Sequence, residues 1–158
     1  SDVCPSRLGA DRVVKTGRGC QGDQAFAAGP RDFLGAARAI GSVPVLTTFA
    51  TSHTRKQLAD FPQEIALGLF KYSSVLSVEG WLASLERFNM VVKRIATDEG
   101  VMLIDIESTV ADHPEYFRDF VHFTPAGHDA LARTMRYALM QLERRESVFS
   151  GVRGVAPQ

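Results

Sequence analysis

The sequence predicts an α/β layered protein built on a parallel sheet, and three observations carry that expectation. Apolar residues recur at helical spacing in three separate stretches. Two short, β-branched apolar runs, 43–49 and 101–106, lie between those stretches. Both runs read as continuous apolar segments and not as alternating ones, which is what a strand needs when helices cover both faces of its sheet. Helix, strand, helix, strand, helix in that order brings the strands together as parallel neighbours through right-handed crossovers.

Residues 1–29 hold one apolar pair, Val13-Val14, amid Gly, Asp, Arg and Lys, and read as an irregular segment. Gly19-Cys20-Gln21-Gly22-Asp23 has no strand before it and no Lys-Ser/Thr after it, so it is no phosphate cradle. Pro30 is set to open a helix with Phe33, Leu34, Ala37 and Ile40 on one face and Gly41 as its stop. In the strand 43–49, Pro44 stands near the start, where a missing N–H is tolerated. The stretch 51–77 is long for a connection. It is a candidate lid whose Phe61, Ile65, Leu67, Leu69 and Phe70 line a pocket, or, more plainly, a short helix packed on the scaffold.

Ser52 and His53 are sequence neighbours, an arrangement that rarely makes a nucleophile and its base, so His53 is expected at the surface. From 78 to 98 a helix is expected, with Trp81, Leu85, Phe88, Val92 and Ile95 as its core stripe and Gly100 as its stop. After the strand 101–106, a loop leads to a last helix over 125–144 that carries Leu131, Met135, Ala138 and Leu142. Residues 147–158 are expected to be a disordered tail.

Eighteen Lys plus Arg balance eighteen Asp plus Glu, and no basic run or interleaved aromatics appear, which argues against nucleic acid as a partner. A small, weakly polar substrate suits the chain better. No apolar run reaches the length of a membrane span, and no basic-then-apolar leader opens the sequence. The chain begins at Ser1 without Met, as a processed or cut chain would. Cys4 and Cys20 are either bridged, in an oxidising compartment, or two free thiols; no Cys-x-x-Cys spacing marks a zinc site.

Chemistry concentrates in Asp119-Phe120-Val121-His122-Phe123-Thr124-Pro125. An acid and an imidazole three residues apart can meet across one tight turn, the carboxylate accepting the Nδ1 hydrogen and leaving Nε2 free as a base. Thr124-Pro125 then supplies a capping hydroxyl and a residue with its φ already set, which is how a helix begins. At these residues the chain resembles the SGNH, or GDSL-type, hydrolases, a family of esterases and lipases whose last sequence block is Asp-x-x-His before a helix.

The resemblance covers about 30–146 and implies the rear half of a three-layer α/β/α, flavodoxin-like domain with a parallel sheet. It implies that His122 is the general base of a serine ester hydrolase, that Asp119 orients it, that the substrate is a small ester, and that no cofactor takes part. The family's nucleophile is a serine in a Gly-Asp-Ser motif. Here Gly22-Asp23 is followed by Gln24, and neither the oxyanion-hole glycine nor the Gly-x-Asn-Asp block is found. The front half, with its N-terminal strands, is therefore expected to be missing and the chain to be inactive alone.

The same absence follows physically, because two parallel strands cannot cover the apolar surface of three amphipathic helices. An open sheet edge should then favour self-association. Two other functions compete. One is a metal site drawn from Asp112, His113, Asp119, His122 and His128, whose carboxylate and imidazole ligands suit zinc or manganese. The other is a non-catalytic binding or assembly module that works through the sheet edge. His128, in the first turn of the last helix, is expected to be a solvent-facing or capping neighbour of the site and not part of it.

Overall fold

The two expected strands form and are parallel: β1 (Val45–Thr47) pairs with β2 (Met102–Ile104), with Val45 opposite Met102 and Thr47 opposite Ile104. The computed structural model describes residues 18–72, 75–111 and 113–152. Among the described residues it is a mixed helix-and-strand fold, mostly helical (69%), with one two-stranded parallel sheet. The chain divides into two compact units, Ser1–Val43 and Pro44–Gln158.

In the first unit, helix α1 (Arg18–Ala39) runs straight through Pro30 instead of starting there. The run Gln24-Ala25-Phe26-Ala27-Ala28 is rich in strong helix formers, and it extends the helix where the proline alone predicts a boundary. The irregular segment expected over 1–29 is thus helical from Arg18 onward. Leu34 and Ala37 are buried as expected, with Ala27, whereas Phe33 and Ile40 are exposed. Cys4 lies outside the described residues, and with it the choice between a bridge and free thiols.

In the second unit, the long connection after β1 holds a 3₁₀ helix (Arg55–Asp60) and α2 (Gln63–Tyr72). The packed-helix alternative therefore describes this stretch. Leu69 is buried with Leu82 and Phe120, and Leu58, Phe61, Ile65 and Trp81 surround them. Helix α3 (Val78–Asp98) has the expected bounds. Ser77 caps its start by accepting from the Gly80 N–H. Its end is a turn in which Gly100, at φ 63°, takes the left-handed conformation that a side chain would strain.

The stripe that α3 buries is rotated from the expected one. Leu82, Asn89, Ile95 and Ala96 are its buried residues, and Phe88 is 39% exposed. Asn89 lies on that stripe because of what it bonds. Its Oδ1 accepts from the Phe49 N–H (2.8 Å) and its Nδ2 donates to the Phe49 carbonyl (2.7 Å). Thr48 N–H donates to Ile104 across the sheet, so the next residue turns its backbone the other way. There the Asn89 amide does for Phe49 what a neighbouring strand would do.

After β2 come α4 (Ile106–Val110) and a 3₁₀ turn (Pro114–Tyr116); the last helix, α5 (Pro125–Val152), begins beyond them. Ala50, Ile104, Ile106, Val110 and Phe117 form the core on this side, and Leu131, Met135 and Ala138 of α5 pack against it. Helix α5 continues past Arg144 through Val152, where a disordered tail was expected from 147; residues 153–158 lie outside the described residues. Among the described residues no helix is long and apolar enough to cross a membrane.

The ends of β1 and β2 are tied together by side chains. Thr48 Oγ1 donates to Asp105 Oδ1 (2.9 Å) and accepts from the Glu107 N–H (2.9 Å). Lys93 of α3 reaches both carboxylates, Asp105 at 2.9 Å and Glu107 at 3.2 Å. Burial pushes the Lys93 ammonium down, but its hydrogen bonds and the two negative charges outweigh that and carry its pKa up. Burial likewise pushes Asp105 up, and the hydrogen bonds from Lys93, Thr48 and the Ser108 N–H carry it down.

Replacing Asn89 by Leu keeps the branched outline of the side chain, with bulkier methyls, and removes both bonds to Phe49. A half-buried backbone N–H and carbonyl are then left without partners, so Asn89→Leu should lower stability by about 2 kcal/mol. Urea unfolding of the two chains measures this, and an unchanged midpoint would show that solvent replaces the amide at no cost.

Candidate active site

The segment between α4 and α5 folds back on itself through backbone bonds. Phe117 and Phe123 face each other in an antiparallel bridge, and Arg118 N–H donates to the His122 carbonyl at 2.7 Å. The three residues between Arg118 and His122 form the tip. Asp119 shapes that tip, because its Oδ1 accepts from the backbone N–H groups of Val121 (3.0 Å) and His122 (2.9 Å). The same carboxylate meets the His122 ring, with Nδ1 2.8 Å from Oδ2 and 3.0 Å from Oδ1.

A carboxylate can only accept, so Nδ1 carries the proton in this pairing and Nε2 holds the free lone pair. Among the described residues no hydroxyl or thiol bonds Nε2. Backbone hydrogen bonds from His122 and then Val121 hold the Asp119 carboxyl below its ordinary pKa; slight burial acts against them, and the imidazole adds to them. These bonds favour the ionised carboxylate of Asp119.

Helix α5 is docked onto this turn at its first residues. Thr124 N–H donates to the Tyr116 carbonyl (2.8 Å), Thr124 Oγ1 donates to the Glu115 carbonyl (3.2 Å), and the same oxygen accepts from the Gly127 N–H (3.3 Å). Thr124 is therefore the cap expected from the sequence. The close approach falls on Gly127, where a Cβ would drive into the Tyr116 carbonyl oxygen and against the Phe123 ring.

The pair is brought beside the carboxyl end of β1 by one backbone bond, from Ser52 N–H to the Phe120 carbonyl at 3.0 Å. Both side chains remain in solvent, His122 at 69% and Asp119 at 52% exposed. A cavity of about 40 Å³ lies nearby, lined by Phe49, Thr51, His53, Arg55, Glu86 and Asn89 among others, and neither Asp119 nor His122 borders it. The geometry thus supplies an imidazole held by a carboxylate on an open surface.

The other histidines are engaged elsewhere. His113 Nδ1 is 2.8 Å from Glu115 Oε1 and its ring stacks on Tyr116. His128 is exposed with its ring edge toward Phe123, as expected. Asp112 lies outside the described residues. Among the described residues no group of three or more His, Cys, Asp or Glu side chains is placed to hold a metal ion.

His53 corrects the sequence reading, for it is buried and not at the surface. Ser52 is 2% exposed and His53 8%, and Ser52 Oγ stands 2.9 Å from His53 Nδ1. This is a serine–histidine contact, but the hydroxyl is sealed from any substrate. Adjacent polar residues in a connection carry no signal of burial, so the sequence had no means of showing it. Asn89 did leave a trace, since Leu82, Leu85, Asn89, Val92 and Ala96 follow helical spacing with a polar residue in the middle.

No protein-family model, curated protein or solved structure matches the chain.

Two outcomes follow from the site's supports. Gly127→Ala should cost about 1–3 kcal/mol through the forced shift of Tyr116 or of the helix start. Gly68→Ala, in α2 with open space around it, should be neutral or stabilising by about 1 kcal/mol. Thermal melts compare the two, and an equal response would remove the close approach as a constraint.

Burial pushes the pKa of His53 below the ordinary 6.5. The unfolded chain therefore takes up a proton on this ring at higher pH than the folded chain does. Stability attributable to His53 is complete above about 6.5, falls as pH drops through the window between the two values, and levels off below the folded one. Urea midpoints from pH 7.5 to 5 should show this fall, and His53→Phe should flatten it; the same slope in both chains would refute the assignment.

Proposed function

We propose that the chain is the rear part of an SGNH/GDSL-type serine ester hydrolase, with His122 as general base and Asp119 as its orienting residue. The observation that carries this reading is the two-oxygen grip of Asp119 on His122 Nδ1, which commits Nε2 outward beside the end of a parallel strand. Functional residues of parallel sheets gather beyond the carboxyl ends of their strands, and this turn is tied there through Ser52. The nucleophilic serine and the oxyanion-hole donors belong, on this reading, to a front half outside these 158 residues. That half would also supply the further strands of a three-layer sheet, its nearest strand lying along the edge of β1 opposite β2; left unpaired, that edge would favour self-association.

In the completed site His122 Nε2 takes the proton of the serine hydroxyl as its oxygen attacks the ester carbonyl. Asp119 holds the imidazolium that results. As the tetrahedral adduct collapses, His122 returns the proton to the departing alkoxide, and an acyl-serine remains. Water enters next, activated by the same nitrogen, and the acid leaves. An exposed base without a serine lacks this route, and each absent oxyanion donor removes about 3–4 kcal/mol of transition-state stabilisation.

The 158-residue chain alone should therefore neither hydrolyse short-chain aryl esters nor be labelled by an organophosphonate. Fusion to a front half carrying a Gly-Asp-Ser strand should restore both. In that fusion His122→Ala should abolish turnover, and Asp119→Asn should lower kcat by as much as about 10⁴-fold. Labelling of the chain alone, at Ser52 or any other serine, would overturn the assignment of the nucleophile to a missing half.

A further inference from the structure

We infer that His53 is a positioning residue for the Asp119–His122 pair, acting on it through Ser52 and Phe120. The importance of that role rests on reading His122 as a base, whereas the contacts themselves do not. The turn that carries the pair leaves both working side chains in solvent, so something buried must hold it. That residue is Phe120, at 7% exposed.

Two routes connect Phe120 to His53. Along the backbone, Ser52 N–H donates to the Phe120 carbonyl at 3.0 Å, and Ser52 Oγ stands 2.9 Å from His53 Nδ1. Through the rings, Phe120 lies 6.0 Å from Phe61, which lies 5.1 Å from the His53 imidazole, each pair tilted near 60°. His53 is the residue where the routes meet. Its nitrogen serves the buried Ser52 hydroxyl, which has no other side-chain partner among the described residues, and its ring packs against Phe61.

Histidine meets both demands with one side chain, and simpler residues meet only one. Phenylalanine keeps the ring contact and leaves the Ser52 hydroxyl buried without a partner. Asparagine places an amide where Nδ1 stands and gives up the ring. Burial also favours the neutral imidazole, which keeps the Ser52 contact uncharged. The charged groups lining the same cavity as His53 are Arg55, Glu86 and Glu107, and Arg55 is itself paired with Glu86 at 3.3 Å.

The test is amide hydrogen exchange and imidazole NMR on the full 158-residue chain at pH 7.5. In His53→Ala the Ser52 amide should exchange at least tenfold faster and the His122 Nδ1 proton signal should be lost. Amides in the middle of α3 should stay within twofold. His53→Asn should recover most of the Ser52 protection and the His122 signal, which a general loss of packing would not allow. Unchanged Ser52 exchange in His53→Ala, uniform acceleration across the chain, or no recovery in His53→Asn would each overturn the proposal. Should His53→Ala fail to fold, His53→Asn is compared with His53→Phe: the first should keep Ser52 protected and the second should not, and equal protection would overturn it. An inert front-half fusion alongside a positive exchange result would count against the hydrolase reading alone.

Discussion

The exits of the two strands are tied together by the hydroxyl of Thr48. It is buried, at 3% exposed, and it bonds in two directions, donating to Asp105 and accepting from the Glu107 N–H. Each such bond is worth about 1 kcal/mol net, so its value lies in placement more than in energy. The two bonds make the chain leave β1 and β2 at the same level, with Lys93 drawn over the two carboxylates. From there the residues after β1 can run to Ser52 and meet Phe120.

Asn89 completes that arrangement from the other side. A parallel pair needs further strands or some substitute for them, because the backbone groups facing away from its partner still require hydrogen bonds. At Phe49 the substitute is a side-chain amide from α3, which supplies one acceptor and one donor at strand-like distances. The helix is thereby locked in rotation about its axis. Asn89 must face β1, and this turns Leu82 and Ala96 inward and Phe88 outward, although the apolar pattern alone favours Phe88.

The candidate site is rigid at its base and open at its working atoms. Asp119 spends one oxygen on two backbone N–H groups and shares both with the imidazole, so the ring is held by the same group that shapes the turn. Gly127 and Thr124 bring the start of α5 against Tyr116, and Phe120 anchors the tip in the core formed by Leu69 and Leu82. On the proposed reading, a base so exposed is suited to meeting a group supplied by another segment and poorly suited to work alone, where water competes at every approach.

The sequence by itself determined what short-range chemistry decides. The contact of Asp119 with His122 needs only three residues of spacing and one turn, and the capped start of α5 needs only Thr124 and Pro125. The parallel strand pair and the bounds of α3 follow from apolar runs and from Ser77 and Gly100. Tertiary structure alone decided the rest, because those features depend on partners distant in the chain. His53 is buried where Phe61, itself packed against Phe120, lies on its ring, and Asn89 belongs to the core because it bonds the backbone of Phe49, forty residues away. Spacing along a chain records which residues share a helix face or a turn; it does not record which backbone groups lack a partner until the strands have met.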